Sequence, residues 1–380
     1  MYSSKQLQLS ILLLAVFIIT VGYGISFPLL SIRLETMGIP SGLIGLNAAM
    51  PALGWLVATP FLPKLHLYFS SKTLMLSFLA LALLGVLGFA LTESFASWLF
   101  CRLVFGGCLG MFFRLVEYWL NTASHNGNRG RIIGVYSVCF LLGIAIGSIA
   151  QPELGTEGYH IFGLIVVCIV LGGIIVAFVP LDTQIQKTAS APFSLLRRVT
   201  IAAPLAMAGV VAYGLFEDVP AYLLSVYTLK IGMGEDIAAY TLSAVALGNL
   251  LLAIPLGIIS DKIGRVPIIF ACSFVGLLGT IVIPASLENV VIYLAFLAIW
   301  GGFVGGLYST CLAYIGDRFS DETLISANAA FGAIYAVAAI LGPLANGMAM
   351  QLWEPQGLMV SCALIFAAFL LFALSIRGRW

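Results

Sequence analysis

Apolar residues fall along this chain in runs of about twenty, separated by short polar connections, as in helices that cross a lipid bilayer. Such runs lie near residues 9–34, 41–63, 73–91, 96–120, 131–150 and 160–180. They recur near 200–228, 237–259, 267–285, 290–315, 323–348 and 356–376. The pattern predicts twelve spans in two groups of six, an all-α integral membrane protein. Between the groups stands LDTQIQKTASAPFSLLRRVT, residues 181 to 200, the most polar extended stretch in the chain. The expected organisation is a six-helix bundle over 1–180, a cytoplasmic loop over 181–199 and a second six-helix bundle over 200–380.

Composition removes alternatives. The 380 residues are 61% hydrophobic and 9% charged, against roughly a quarter charged in an ordinary soluble domain. A net charge of +1, with no basic cluster interleaved with aromatics, gives nucleic acid no hold. The first run is too long for a signal-peptide core and lacks a small-residue cleavage site, so it is read as a retained span. The seven cysteines (Cys101, Cys108, Cys139, Cys168, Cys272, Cys311 and Cys362) all lie in apolar runs, with no C-x-x-C pair and no histidine partner. They are read as small buried hydrophobes, and neither a disulfide framework nor a metal site is expected. No cofactor is expected either.

Lysine and arginine set the orientation. With the N-terminus inside, the cytoplasmic segments hold Lys5, Lys64, Lys72, Arg129, Arg131, Lys187, Arg197, Arg198, Lys262, Arg265, Arg318, Arg377 and Arg379. The outer connections hold only Arg33 and Lys230. Both termini are therefore expected in the cytoplasm, with the chain in a cytoplasmic (inner) membrane.

The halves resemble each other. YGISFPLLSIRLETMG, from Tyr23, parallels YGLFEDVPAYLLSVYTLKIG, from Tyr213, and FGGCLG (105 to 110) parallels WGGFVG (300 to 305). The first pair sits in the first and seventh spans and the second in the fourth and tenth, as a parallel repeat around a central site requires.

GIISDKIGR, residues 257 to 265, joins the eighth and ninth spans. It resembles the G-x-x-x-D-[RK]-x-G-[RK] motif of the major facilitator superfamily, matching at Gly257, Asp261, Lys262, Gly264 and Arg265. Together with twelve spans in a six-plus-six division, the resemblance covers essentially the whole chain. It implies the fold of that family, two pseudo-symmetric six-helix bundles, and a cytoplasmic gate latch at the motif. The family's stronger copy, between the second and third spans, is missing: PFLPKLHLYFSSK (60 to 72) puts Leu67 where Asp261 stands in the other half, and His66 is placed at the membrane surface. CRLVFGGCLG is similar to the family's fourth-span motif, with Arg102 as its arginine and Gly106, Gly107 and Gly110 as its glycine ladder. EYWLN followed by NRGR resembles a pattern of small bacterial members, matching at Glu117, Trp119, Asn121, Arg129, Gly130 and Arg131. The fifth span lacks the Gly-Pro common in the family's antiporters, and Gly342 and Pro343 in the eleventh replace it only in part.

Five ionisable residues stand inside apolar runs: Arg102, Arg114, Glu117, Glu217 and Asp218. Each costs at least about 2.5–3.5 kcal/mol in hydrocarbon, so each must pair, face a bundle interior or line a wet cavity. At 100° per residue, Arg102, Glu117 and Arg114 share one broad sector of the fourth helix. Arg102 and Glu117 are about 22 Å apart along it, whereas Arg114 and Glu117 are spaced to meet as an i,i+3 pair. Glu217 and Asp218 precede Pro220, where the helix either continues through the membrane or ends and leaves both acids solvated. Burial disfavours the charged form of any carboxylate, and exchange of a proton near neutrality is what a proton carrier needs. Glu117, Glu217 and Asp218 are thus the candidate proton carriers. Arg102 and Arg114 are candidates for holding a substrate anion or serving as counter-ions, and Arg33 for an outer gate with Glu217 or Asp218. Tyr23, Asn47, Trp119, Tyr213, Asn249 and Tyr308 complete the expected cavity lining.

The function expected is secondary active transport of a small organic solute by alternating access, coupled to protons, in a monomer. There is no nucleotide motif and no H-E-x-x-H or G-x-S-x-G, so ATP-driven pumping and enzymatic hydrolysis are set aside. Export by antiport is favoured by the fourth-span resemblance, and the missing fifth-span Gly-Pro argues against it. Uptake by symport and an uncoupled facilitator or channel are the alternatives. Substrate identity is not legible in the chain.

Overall fold

The computed structural model describes residues 4–123, 129–179 and 193–378. Among the described residues there is no strand, and twelve helices are long and apolar enough to cross a membrane. They are α1 (Ser4–Thr36), α2 (Ser41–Leu65), α3 (Ser71–Leu91), α4 (Phe95–Ala123), α5 (Arg129–Leu154) and α6 (His160–Phe178). The second six are α7 (Pro204–Lys230), α8 (Glu235–Ile263), α9 (Arg265–Ala285), α10 (Val290–Arg318), α11 (Asp321–Leu352) and α12 (Gly357–Ser375). Each overlies one of the predicted runs. Capping fixes several ends: the Ser70 side chain accepts from Thr73 N before α3, and Asn289 accepts from Val291 N and Ile292 N before α10. Gly264, at φ +95°, separates α8 from α9, a conformation that favours glycine.

Two expectations change. Residues 193–202, partly assigned to the central loop, form a separate short helix, Phe193–Ala202, and the seventh span starts only at Pro204. Pro204 disfavours helical geometry at Ala203, which sits at φ −129°, ψ 57°. Residues 181–192, together with His125, Lys187 and Arg379, lie outside the described residues, as do the side chains of Lys5 and Arg129. The chain also divides less simply than at residue 180. One compact unit holds Met1–Leu34 and Met50–Thr188, and the other holds Glu35–Ala49 and Ala189–Trp380.

In the first unit Trp98, Phe105 and Phe112 are fully buried. The glycine ladder of α4 faces the part of α2 that follows Met50. Pro51 lies against Gly106, Gly54 meets Gly107 and the Leu103 carbonyl, and Trp55 covers Gly110. The second unit repeats this seam. Gly248 of α8 lies on the Ala298 carbonyl, and Gly302 of α10 lies on Gly248. Leu103 and Ala298 stand at matching positions of the two ladders, so the weak internal likeness marks the same close helix approach in both halves. Beside it, Trp300 Nε1 donates to the Gly276 carbonyl at 2.8 Å, with its ring over Gly279.

Segment 35–49 is tied to the second unit through glycine and charge. Gly45 lies against Gly347 and the Pro343 carbonyl, and Gly42 N donates to Gln351 Oε1 at 3.1 Å. Lys230 Nζ is 2.8 Å from Glu35 Oε1 and 3.1 Å from Glu354 Oε1. Lys230 is thus the centre of a three-charge cluster.

Candidate functional site

Proline creates the local geometry of the site. Pro220 has no N–H, so the carbonyl of Phe216 has no i+4 donor. Val219 N bonds Phe216 O instead, and the chain widens into a π-turn over Val219–Leu223 before helix resumes at Leu224–Lys230. Such turns mark functional positions more often than chance. The span does not stop at Pro220: Val219, Pro220 and the residues through Thr228 are buried. Glu217 and Asp218 therefore lie within a membrane-spanning helix, which settles the alternative of an early helix end against it.

The diverted Val219 N–H leaves the Leu215 carbonyl without its helical donor. Asn346, fully buried on α11, supplies the replacement. Its Nδ2 donates to Leu215 O at 2.7 Å and to Gly342 O at 2.8 Å, while Ser361 Oγ of α12 donates to its Oδ1 at 2.6 Å. Small residues bring α11 this close, with Gly214 against Ala338 and Gly342 against the Leu215 backbone. Removing the amide in Asn346→Ala strands a buried carbonyl and is expected to cost about 1–2 kcal/mol. That is read as a lower melting temperature than for Ser361→Ala, which removes only the outer bond. Equal melting temperatures for the two variants would mean that the Leu215 carbonyl does not depend on Asn346.

Glu217 is half-buried and held by tyrosines. Tyr335 Oη of α11 donates to its Oε2, and Tyr213 Oη, one turn earlier on α7, donates to Oε1 at 3.3 Å. Tyr308 of α10 completes the group, its ring 5.1 Å from that of Tyr213 and 5.6 Å from that of Tyr335. Phe331 backs Tyr308 at 5.3 Å. Among the described residues no lysine or arginine forms an ion pair with Glu217. The sequence does not single out Tyr335. A tyrosine in an apolar helix reads as an interface anchor, and its partner lies 118 positions away.

The first unit builds a similar cluster of rings, with a phenylalanine at the position matching Glu217. Tyr23 is 4.4 Å from Phe27 and 6.1 Å from Phe113, and Phe113 is 5.0 Å from Phe140. In the duplication Phe27 stands where Glu217 stands, Phe113 where Tyr308 does and Phe140 where Tyr335 does. Glu117, exposed on α4, accepts from Tyr136 Oη of α5 at 3.1 Å.

The expected pairing of Arg114 with Glu117 is corrected. The spacing permits it, but no ion pair forms between them, because neighbouring helices claim both groups. The Arg114 guanidinium lies 4.2 Å from the centre of the Trp55 ring on α2, and Glu117 goes to Tyr136. The shared sector on α4 does not bring the three charges into one environment either. Arg102 is 1% exposed, with Nη1 3.5 Å from the Ser26 carbonyl, whereas Arg114 and Glu117 are exposed. Trp119, expected to line a cavity, is buried in its own unit at 7% exposure. Arg33 has an ion pair with Glu93 at 3.8 Å and lies over the rings of Trp98 and Phe162 at 5.6 and 5.5 Å. Asn47 is buried, and Asn249 is half-buried against Gly305.

At the other end of the second unit, Arg265 joins three helix ends. It donates to Asp261 at the end of α8, to Asp317 Oδ2 at the end of α10 at 2.9 Å, and to Ser260 Oγ at 3.1 Å. Lys262 is exposed, and nothing lies within 4 Å of a side chain at Gly257. In the other half the position of this motif holds half-buried His66 and exposed Leu67. Among the described residues no cluster of three metal-ligating side chains occurs, and the seven cysteines are free thiols.

A family model described as Major Facilitator Superfamily matches residues 12–234 and 206–379. Among curated proteins the chain is similar to the uncharacterised MFS-type transporter YfkF of Bacillus subtilis (strain 168), 27% identical over 353 residues, 92% of this chain and 90% of YfkF. It is 24% identical over 372 residues to the uncharacterised MFS-type transporter YcaD of Salmonella enteritidis PT4, covering 97% and 96% of the two chains. Among solved structures, a D-xylose-proton symporter superposes with a TM-score of 0.78 at 14% identity, over 98% of this chain and 97% of that one. The nucleoside transporter NupG gives 0.75 at 12% identity over 99% of each chain. At these identities the likeness is one of fold.

Proposed function

The chain belongs to the Major Facilitator Superfamily, and from that premise we propose that it is a secondary active transporter, moving a small organic solute by alternating access in exchange with protons. Glu217 carries this reading. An ionisable side chain inside a span is costly and marks an ion or substrate path by default, and among the described residues no lysine or arginine forms an ion pair with this one. Its ionised carboxylate accepts from both Tyr213 and Tyr335. Once protonated, the group gains a donor of its own, so the hydrogen bonds among the three side chains must rearrange. A proton thereby biases one arrangement of α7 against α11 over another, which is what coupling requires.

Glu117 with Tyr136 is the secondary proton candidate, having one hydroxyl donor rather than two. Asp218 is the third. Arg102 and Arg114 remain proposed substrate or counter-ion groups, and Asp261 with Arg265 the proposed cytoplasmic latch. Export is the proposed direction, on the sequence of the fourth span. The distribution of lysine and arginine supports both termini in the cytoplasm and the chain in a cytoplasmic membrane. A monomer is the proposed working form.

The test begins with a screen for solutes that raise the melting temperature of the purified protein, since a ligand of the native state stabilises it. A solute so found is loaded into proteoliposomes and followed after a pH jump. Gradient-driven accumulation that a protonophore abolishes is the expected outcome. A flux that only equilibrates the solute and ignores the pH jump would make the protein an uncoupled facilitator.

A further inference from the structure

We propose that the Glu217 site takes an organic cation, a solute with an ammonium-type charge seated against the rings of Tyr213, Tyr308 and Tyr335. This deepens the function proposed above and rests on its premise that Glu217 meets the transported solute. The charge balance at the site points one way. Glu217 is followed on α7 by a second acid, Asp218, which has contacts of its own. Among the described residues the side chains hydrogen-bonded to Glu217 are tyrosines, Tyr213 on the same helix and Tyr335 from α11, with the ring of Tyr308 from α10 beside them. An anion would be repelled by the ionised carboxylate, and a neutral solute would leave it either uncompensated inside a membrane span or protonated. A cation supplies the missing charge and also gains from the negative faces of the three rings.

The duplication separates packing from chemistry. The first unit holds Tyr23, Phe27, Phe113 and Phe140 together with Phe27 in the place of Glu217, so this arrangement of rings does not need a carboxylate at that position for its packing. The second unit adds the carboxylate and the two ring hydroxyls that hold it. All four side chains there are half-buried, so part of each is left uncovered by protein. Quaternary ammonium recognition elsewhere uses aromatic faces in the same way.

The experiment is equilibrium binding by calorimetry on the full-length protein in detergent, with no gradient present. The probes are phenyltrimethylammonium, its uncharged isostere tert-butylbenzene, and benzoate. Phenyltrimethylammonium is expected to bind, with affinity reduced at least tenfold by Glu217→Gln and by Tyr335→Leu. Tyr335→Phe keeps the ring and is expected to lose less than threefold. The probe's charge is permanent, so any weakening at lower pH reports protonation of the protein. Equal binding of tert-butylbenzene, tighter binding of benzoate, no binding of the cation, or an unchanged affinity in folded Glu217→Gln would each overturn the proposal. This result is separable from the coupling test. Cation binding without proton-driven accumulation leaves the site and removes the coupling, and proton-driven accumulation of a neutral solute without cation binding does the reverse.

Discussion

Replacing Gly248 with leucine is expected to prevent the protein from accumulating in folded form, whereas the same change at Gly257 is expected to be tolerated. The contrast follows from what each position faces. A Cβ at Gly248 would overlap the backbone carbonyl of Ala298, with Gly302 packed alongside in the same seam, and backbone cannot turn aside as a side chain can. Overpacking that side chains can absorb costs about 1–3 kcal/mol. Here α8 must separate from α10, and the cost is expected above that range, a large share of a total stability of about 5–15 kcal/mol. Gly257 has nothing within 4 Å of its missing side chain, although it belongs to the family-like loop motif and Gly248 does not. There a leucine gains up to about 1 kcal/mol of helix propensity. Solubilised yield and monodispersity on size exclusion measure both. A Gly248→Leu protein with wild-type yield and melting temperature would mean that the seam is looser than the structure has it.

Glu217→Gln is expected to abolish uphill transport while leaving downhill movement at solute concentrations raised to offset the weaker binding. The amide keeps the volume and can still accept a hydroxyl bond, but it cannot exchange a proton. With one proton per solute, a gradient of one pH unit sustains about tenfold accumulation, since about 1.4 kcal/mol corresponds to a factor of ten. Wild-type proteoliposomes are expected to approach that ratio and the variant to stay near one. The side on which solute accumulates reads the direction: the acidic side for exchange against protons, the alkaline side for co-transport. Wild-type accumulation by a folded Glu217→Gln protein would remove Glu217 from the coupling path.

The spans were legible because lipid imposes one strong demand, a continuous apolar run of fixed length, and each run in the chain became a helix. That some neighbouring helix comes close to α4 was legible for a related reason, though not that the neighbour is α2. Gly106, Gly107 and Gly110 have few uses in a span other than letting a neighbour come near. Glu217 stood out because a charge is conspicuous in an apolar run. Its partner Tyr335 did not, nor did Asn346, which bonds the Leu215 carbonyl: both carry ordinary polar groups, and their roles arise only when α11 packs on α7. Arg114 and Glu117 show the limit of spacing along one helix. Their i,i+3 relation allowed a pair, but Trp55 and Tyr136, from other helices, offered competing partners. Hydropathy places the start of the seventh span too early because it runs on through Ala202 and Ala203, while Pro204 breaks the backbone there.

Direct detection of protons tests the central claim that Glu217 carries the coupled proton. A pH indicator trapped in proteoliposomes reports the proton movement that follows addition of a stabilising solute, with no imposed gradient. A solute-dependent pH change is expected in wild type and none in Glu217→Gln, whose solute flux persists at raised solute concentration. A full proton signal in Glu217→Gln, with its loss in Glu117→Gln instead, would contradict the account and move the coupling site to the first unit.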